Sequence, residues 1–118
     1  MRSFLLAPLA VAAVVAMAGP AAAHARLISA TPAPDSMGGP TRTVTLVFSE
    51  RSVPAFSGFD VYDANGTKLA MRASISDDGK TLSGALARPL AAGTYRVEWR
   101  LASGDGHRMT GNYSFMVH

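Results

Sequence analysis

From residue 42 onward the apolar residues of this chain recur at every second position, a period that strands with one buried face produce and helices do not. The segment TYRVEWRLA is the clearest case: Tyr95, Val97, Trp99 and Leu101 share one side, and Arg96, Glu98 and Arg100 the other. Val44, Leu46 and Phe48 repeat the pattern in TVTLVFS, as do Phe59 and Val61 in GFDVYD and Tyr113, Phe115 and Val117 near the end. Turn formers punctuate these runs at Pro32, Pro34, Gly38-Gly39-Pro40, Asn65-Gly66, Asp78-Gly79, Ala92-Gly93 and Gly104 to Gly106. Short strands at this spacing predict one all-β domain, an antiparallel sandwich or small barrel. Trp99, the single tryptophan, lies on the inward face and is expected to anchor the core, because a ring of that size contributes much of a small domain's burial.

Ahead of the domain stands a leader with the three parts of a secretory signal. Arg2 is its charged start, Phe4 to Met17 its apolar run, and Ala21-Ala22-Ala23 its small-residue cleavage site after the Gly19-Pro20 break. The expected domain organisation is a signal peptide over 1–23 and a β domain over 24–118, with the processed protein in the periplasm or otherwise exported. The apolar run falls short of the roughly 20 residues that cross a bilayer, so a soluble mature protein is expected. The formal net charge of the whole chain is +3, and it drops by one when Arg2 leaves. The signs are interspersed, with no basic run set among aromatics, so no nucleic acid is expected as a partner. There is no cysteine. The core must therefore hold unaided or with a bound ion, and thiolate sites such as zinc ribbons, blue copper and redox pairs are excluded.

The three histidines are the informative chemistry. Cleavage after Ala23 makes His24 the first residue, where a free α-amine and an imidazole Nδ1 can close a six-membered chelate ring on one metal ion. An α-amine with a pKa of ~8 yields its proton to a metal at little cost near neutral pH. Asp105-Gly106-His107 forms the second half, on a turn that Gly104 and Gly106 allow to be tight, with residues i and i+2 able to face one ion. Amine, two imidazoles and a carboxylate in a tetragonal plane suit Cu(II), which tops the divalent affinity series. His118, the last residue, is expected to be a frayed tail. Met37, Met71, Met109 and Met116 are scattered along the mature sequence, and no thioether cluster for cuprous ion is expected.

These residues resemble the CopC-like periplasmic copper-binding proteins, and the resemblance covers nearly the whole mature chain. It is carried by HARLISATPAPDS, VTLVFSERSVPAFSGFDVYDANG, PLAAGTYRVEWRLASGDGH and GNYSFMV, in that order and spacing. The resemblance implies a seven-stranded Greek-key β-sandwich of cupredoxin or immunoglobulin-like shape with Cu(II) at one end. The implied metal ligands are His24, Asp105 and His107, and Glu50 in FSE is implied to hydrogen-bond to the site or orient it. Two departures stand out. Many relatives begin His-x-His, whereas Arg26 is the third mature residue here, and the methionine-rich cuprous site of some relatives is not matched.

The function expected on these grounds is copper resistance or homeostasis: one Cu(II) is buffered, or passed to an inner-membrane copper transporter of the CopD type, by a monomer. No enzyme is expected, because each histidine already belongs to the site or the tail, and Asp77-Asp78 reads as a turn. The contending readings are a copper-dependent mono-oxygenase using a histidine brace and a structural immunoglobulin-like module without metal.

Overall fold

Residues 25–118 are described by the structure, a computed structural model; the leader over 1–23 and His24 lie outside the described residues. Eight strands follow in order: β1 Leu27–Thr31, β2 Met37–Gly38, β3 Thr43–Phe48, β4 Gly58–Tyr62, β5 Met71–Ile75, β6 Thr81–Leu86, β7 Gly93–Ala102 and β8 Arg108–Val117. Seven of them span five residues or more, the number the resemblance implied, and β2 adds a two-residue strand. They form two four-stranded sheets in the orders β1-β3-β6-β5 and β2-β8-β7-β4. The chain crosses between sheets after β1, β2, β3, β4 and β6, so neither sheet is built from consecutive strands alone. The result is an immunoglobulin-like β-sandwich with no α-helix among the described residues and one 3₁₀ turn at Pro54–Phe56.

Period-two alternation sets the core. Val44, Leu46 and Phe48 from β3 meet Phe59 and Val61 from β4, and all five are buried, as are Val97, Leu101, Phe115 and Val117 from the long β7–β8 hairpin. Pairing of β7 with β8 runs over ten residues, from Gly93 opposite Val117 to Ala102 opposite Arg108. This hairpin is the spine of its sheet, and its tip presents the Asp-Gly-His turn.

Trp99 lies on the core face as expected and meets Phe48 edge-on, with ring centroids 5.1 Å apart and planes at 67°. It is partly rather than fully buried. The cause is its cross-strand partner, Gly111 on β8, which has no side chain to cover it; the indole instead lies over the glycine, where a Cβ would collide with the ring. At the other end of β7, Tyr95 stacks on Phe115 at 5.6 Å and donates its hydroxyl to the Ala91 carbonyl at 2.7 Å. The Asp77-Asp78 pair is a turn element, as its sequence suggested. Asp78 accepts from the Ser76 hydroxyl at 2.6 Å and from the Lys80 amide at 3.0 Å, and Gly79 takes the positive φ that closes the turn.

Candidate metal centre

The tip between β7 and β8 is a five-residue turn, Ser103 to His107, closed by its own backbone. Ser103 N–H donates to the His107 carbonyl at 2.9 Å, and Gly106 N–H to the Ser103 carbonyl at 3.0 Å. Gly106 has φ 92, in the left-handed region where a side chain would strain the backbone, which is why glycine stands between the two candidate ligands. Inside this frame Asp105 and His107 are brought together. Asp105 Oδ2 lies 2.8 Å from His107 Nδ1, and Oδ1 accepts the His107 backbone N–H at 3.1 Å and a short hydrogen bond from the Ser103 hydroxyl.

This packing of donors around one carboxylate has an electrostatic result. The Ser103 hydroxyl first, then the His107 ring and the His107 amide, favour the ionised form and hold the Asp105 carboxyl well below the usual carboxylate range. Asp105 is thus anionic across the whole physiological range, as a hard-metal ligand must be. A ring whose Nδ1–H is donated to a carboxylate carries its lone pair on Nε2, the tautomer that a metal requires at that atom. Both side chains remain about half exposed, Asp105 at 50% and His107 at 54%, so an ion can reach them from solvent.

Ser103 carries more of this arrangement than the sequence suggested. It is buried, it forms a bridge with buried Ser52, and its hydroxyl also lies 3.3 Å from the His107 carbonyl. Ser52 in turn donates its hydroxyl to the Gly79 carbonyl at 2.7 Å. Serine is too common for its type alone to have singled it out; the one available signal was its position two residues before Asp105. Replacing it tests the assignment: Ser103→Ala is expected to raise the Asp105 carboxyl toward the ordinary range, followed as the carboxyl carbon shift against pH by NMR. An unchanged titration would remove Ser103 from the account.

The connection from β3 to β4 ties this turn to the start of the described chain. Ser49 exchanges two hydrogen bonds with Arg26, its N–H to the Arg26 carbonyl at 2.9 Å and the Arg26 N–H to its hydroxyl at 2.8 Å. Three residues on, Ser52 bridges Ser103, and Val53 N–H donates to the Ala102 carbonyl at 2.8 Å. Three residues span at most about 10 Å. Ala25, 3% exposed and part of the core cluster, therefore enters the fold at the pole that carries the turn. Glu50 lies on the same short stretch and is exposed. Among the described residues no third His, Cys, Asp or Glu joins Asp105 and His107 in a cluster. His24 lies outside the described residues, and His118 belongs to the opposite pole.

His118 departs from the frayed tail expected of it, since its backbone N–H is held by the Gly38 carbonyl at 2.9 Å. It sits beyond the far end of β8, whose ten residues separate it from the turn by about 30 Å.

Comparison with known proteins agrees with this architecture. The CopC domain matches residues 27–118. Copper resistance protein C of Pseudomonas syringae pv. tomato is 39% identical over 104 residues, covering 82% of this chain and 82% of that protein. The protein of the same name from Escherichia coli is 36% identical over 113 residues, covering 88% and 89%. Among solved structures, PcoC from Escherichia coli, described as a methionine rich copper resistance protein, superposes with a TM-score of 0.74 at 36% identity over 81% of this chain and 100% of that one. CopC from Methylosinus trichosporium OB3b superposes with a TM-score of 0.72 at 30% identity over 80% and 93%. On sequence and fold together, the chain belongs to the CopC domain family.

Proposed function

We propose that this chain is an exported copper-resistance protein whose processed form binds one Cu(II) through the α-amine and imidazole of His24, the carboxylate of Asp105 and the imidazole of His107. It buffers the ion outside the cytoplasm and hands it to a membrane copper transporter of the CopD type. The observation that carries this reading is the Ser49 to Ser52 stretch, which engages Arg26 at one end and Ser103 at the other. His24 is one peptide bond from Ala25, so the chelating residue and the turn are tethered to the same pole. Copper is the cargo, and no turnover is assigned to the site: with Asp105 as a ligand, a position that oxygen activation would need is filled. Glu50 is assigned to orienting the bound ion or its water from the same stretch.

The donor set predicts the pH response. Protons compete with Cu(II) for the α-amine and for both imidazoles, so affinity falls as pH drops below neutral. Asp105 contributes nothing to the fall, because its carboxyl stays ionised throughout. A Cu(II) titration of residues 24–118, read by electron paramagnetic resonance with a competing chelator, is expected to give one ion per chain with nitrogen hyperfine structure. The affinity should drop at least about 100-fold between pH 7 and pH 5. Affinity that stays level over this range would overturn nitrogen ligation. In the same assay Ser103→Ala is expected to weaken binding by roughly 10-fold to 100-fold, the usual effect of removing a group that orients a ligand.

A further inference from the structure

The edge of a β-sheet presents backbone N–H and C=O groups that lack a strand to pair with, and folds blunt such edges to keep chains apart. Among the described residues the two sheets have four edges, β1, β2, β4 and β5, and three of them are blunted. β2 has only two residues, and the register of β1 shifts between Leu27 and Ser29. The free side of β4 is covered by the segment that follows it, with Leu69 N–H on the Val61 carbonyl at 2.9 Å and Lys68 bridging Tyr62. β5 is different. It pairs with β6 in unbroken register, from Met71 opposite Leu86 to Ile75 opposite Leu82, holds no proline and takes no other strand on its outer side. Met71, Ala73 and Ile75 lie opposite the buried Leu86, Gly84 and Leu82 and so face inward, while Arg72 and Ser74 face outward beside Ala85 and Ser83. Ala73 is exposed although it faces inward, because a groove of about 450 Å³ opens between β5 and β4, lined in part by Phe59, Ile75 and Leu82.

We propose that β5 is the contact edge for a second copy of this chain, which pairs with it antiparallel about a two-fold axis at Ala73 and joins two four-stranded sheets into one continuous sheet. The sequence of β5 is complementary to itself in this register. On the inner side Met71 meets Ile75 of the second copy and Ala73 meets Ala73, so apolar side chains left half-exposed at the edge cover one another. On the outer side Arg72 meets Ser74 of the second copy, so the one charge of the strand faces a hydroxyl. A register centred on Arg72 would set two guanidinium groups against each other, and one centred on Ser74 would leave Met71 with no facing residue in the other β5. The rest of that face does not interfere. The row through Arg72 is completed by Thr43 and Ala85, and the row through Ser74 by Thr31, Thr45 and Ser83. β5 ends at the pole of the Asp-Gly-His turn, since Gly79 in the loop after it accepts from Ser52. The two-fold axis therefore sets the two turns at opposite ends of the pair and leaves both open. Five paired residues bury less than the roughly 1,000 Å² of a stable interface, so the pair is weak and the monomer prevails in dilute solution.

The pairing needs no metal, and its test is separate from the Cu(II) reading. Residues 24–118 are followed by sedimentation equilibrium with a chelator present, up to about 1 mM, where the average mass is expected to rise toward that of two chains with a Kd of about 0.1–1 mM. Amide resonances of residues 71–75 should shift with concentration while those of residues 103–107 stay in place. Ser74→Arg sets a second arginine against Arg72 of each copy and should weaken the pair at least about 10-fold. Ser74 is exposed and its neighbour on β6 is Ser83, so the fold tolerates the change. Adding Arg72→Glu to Ser74→Arg turns each repulsion into an ion pair and should restore the association, with Cu(II) affinity the same in every variant. A mass that stays at one chain throughout, a pair that forms only once Cu(II) is added, shifts that fall outside β5, or a double variant no stronger than Ser74→Arg would each overturn the proposal. Because the first readout uses the unmodified sequence, a variant that failed to fold would not protect it.

Discussion

A chain carrying one extra residue before His24 is expected to bind Cu(II) at least about 100-fold more weakly than a chain that starts there, with a changed electron paramagnetic resonance spectrum. The extension turns the α-amine into an amide, whose nitrogen lone pair is delocalised and whose proton is not released near neutral pH, so one donor and its chelate ring are lost together. Losses of 10-fold to 100-fold already follow from disturbing groups that merely orient a ligand, and removal of a ligating atom should exceed them. Little else changes, because Ala25 is buried and Arg26 is held by Ser49, so an added residue projects outward from a start that is already fixed. The measurement is a chelator-competition titration on the processed and extended proteins in parallel. Equal affinities and superimposable spectra would refute the terminal chelate, whatever the fate of Asp105 and His107.

Much of the fold was legible because one buried face writes itself as alternation. β3, β4, β7 and β8 were each readable from their own residues, and their inward positions are the core. The strands that were not individually readable have particular reasons. In β1 the register shifts between Leu27 and Ser29, so the core-packed residues Leu27 and Ala30 stand three apart and the period of two is broken. In β6 the buried position between Leu82 and Leu86 is Gly84, which leaves space for the Met71 side chain and removes the apolar mark that would have completed the pattern. β5 exposes most of its length, and β2, at two residues, is too short to show any period. At the candidate site the residue types of Asp105 and His107 and their spacing are local properties, legible as such. Ser103 and the Ser49 to Ser52 tether depend on pairing between distant segments, and no local pattern encodes them.

Phe48→Ala is expected to destabilise the domain by about 3–5 kcal/mol, measured by urea unfolding, a large share of the roughly 5–15 kcal/mol that holds a domain of this kind folded. Phe48 is 1% exposed and supports the Trp99 edge, so its removal leaves a cavity lined by side chains on β-strands that cannot collapse into it. With no cysteine in the chain, no disulfide limits the unfolded state and offsets the loss. Phe115→Ala, at the same 1% exposure, should cost a similar amount. The two should differ in copper binding by the folded fraction. Phe48 ends β3 one residue before Ser49, pairs with Leu27 and donates its N–H to the Lys80 carbonyl at 2.8 Å, so loosening it loosens the tether that holds Arg26 beside the turn. Phe115 stacks on Tyr95 toward the other pole and touches none of this. Cu(II) affinity should therefore fall in Phe48→Ala and hold in Phe115→Ala at matched fractions folded. A stability loss under about 1 kcal/mol in either variant would contradict its place in the core, and equal affinities would sever the link between the core at this pole and the geometry of the metal centre.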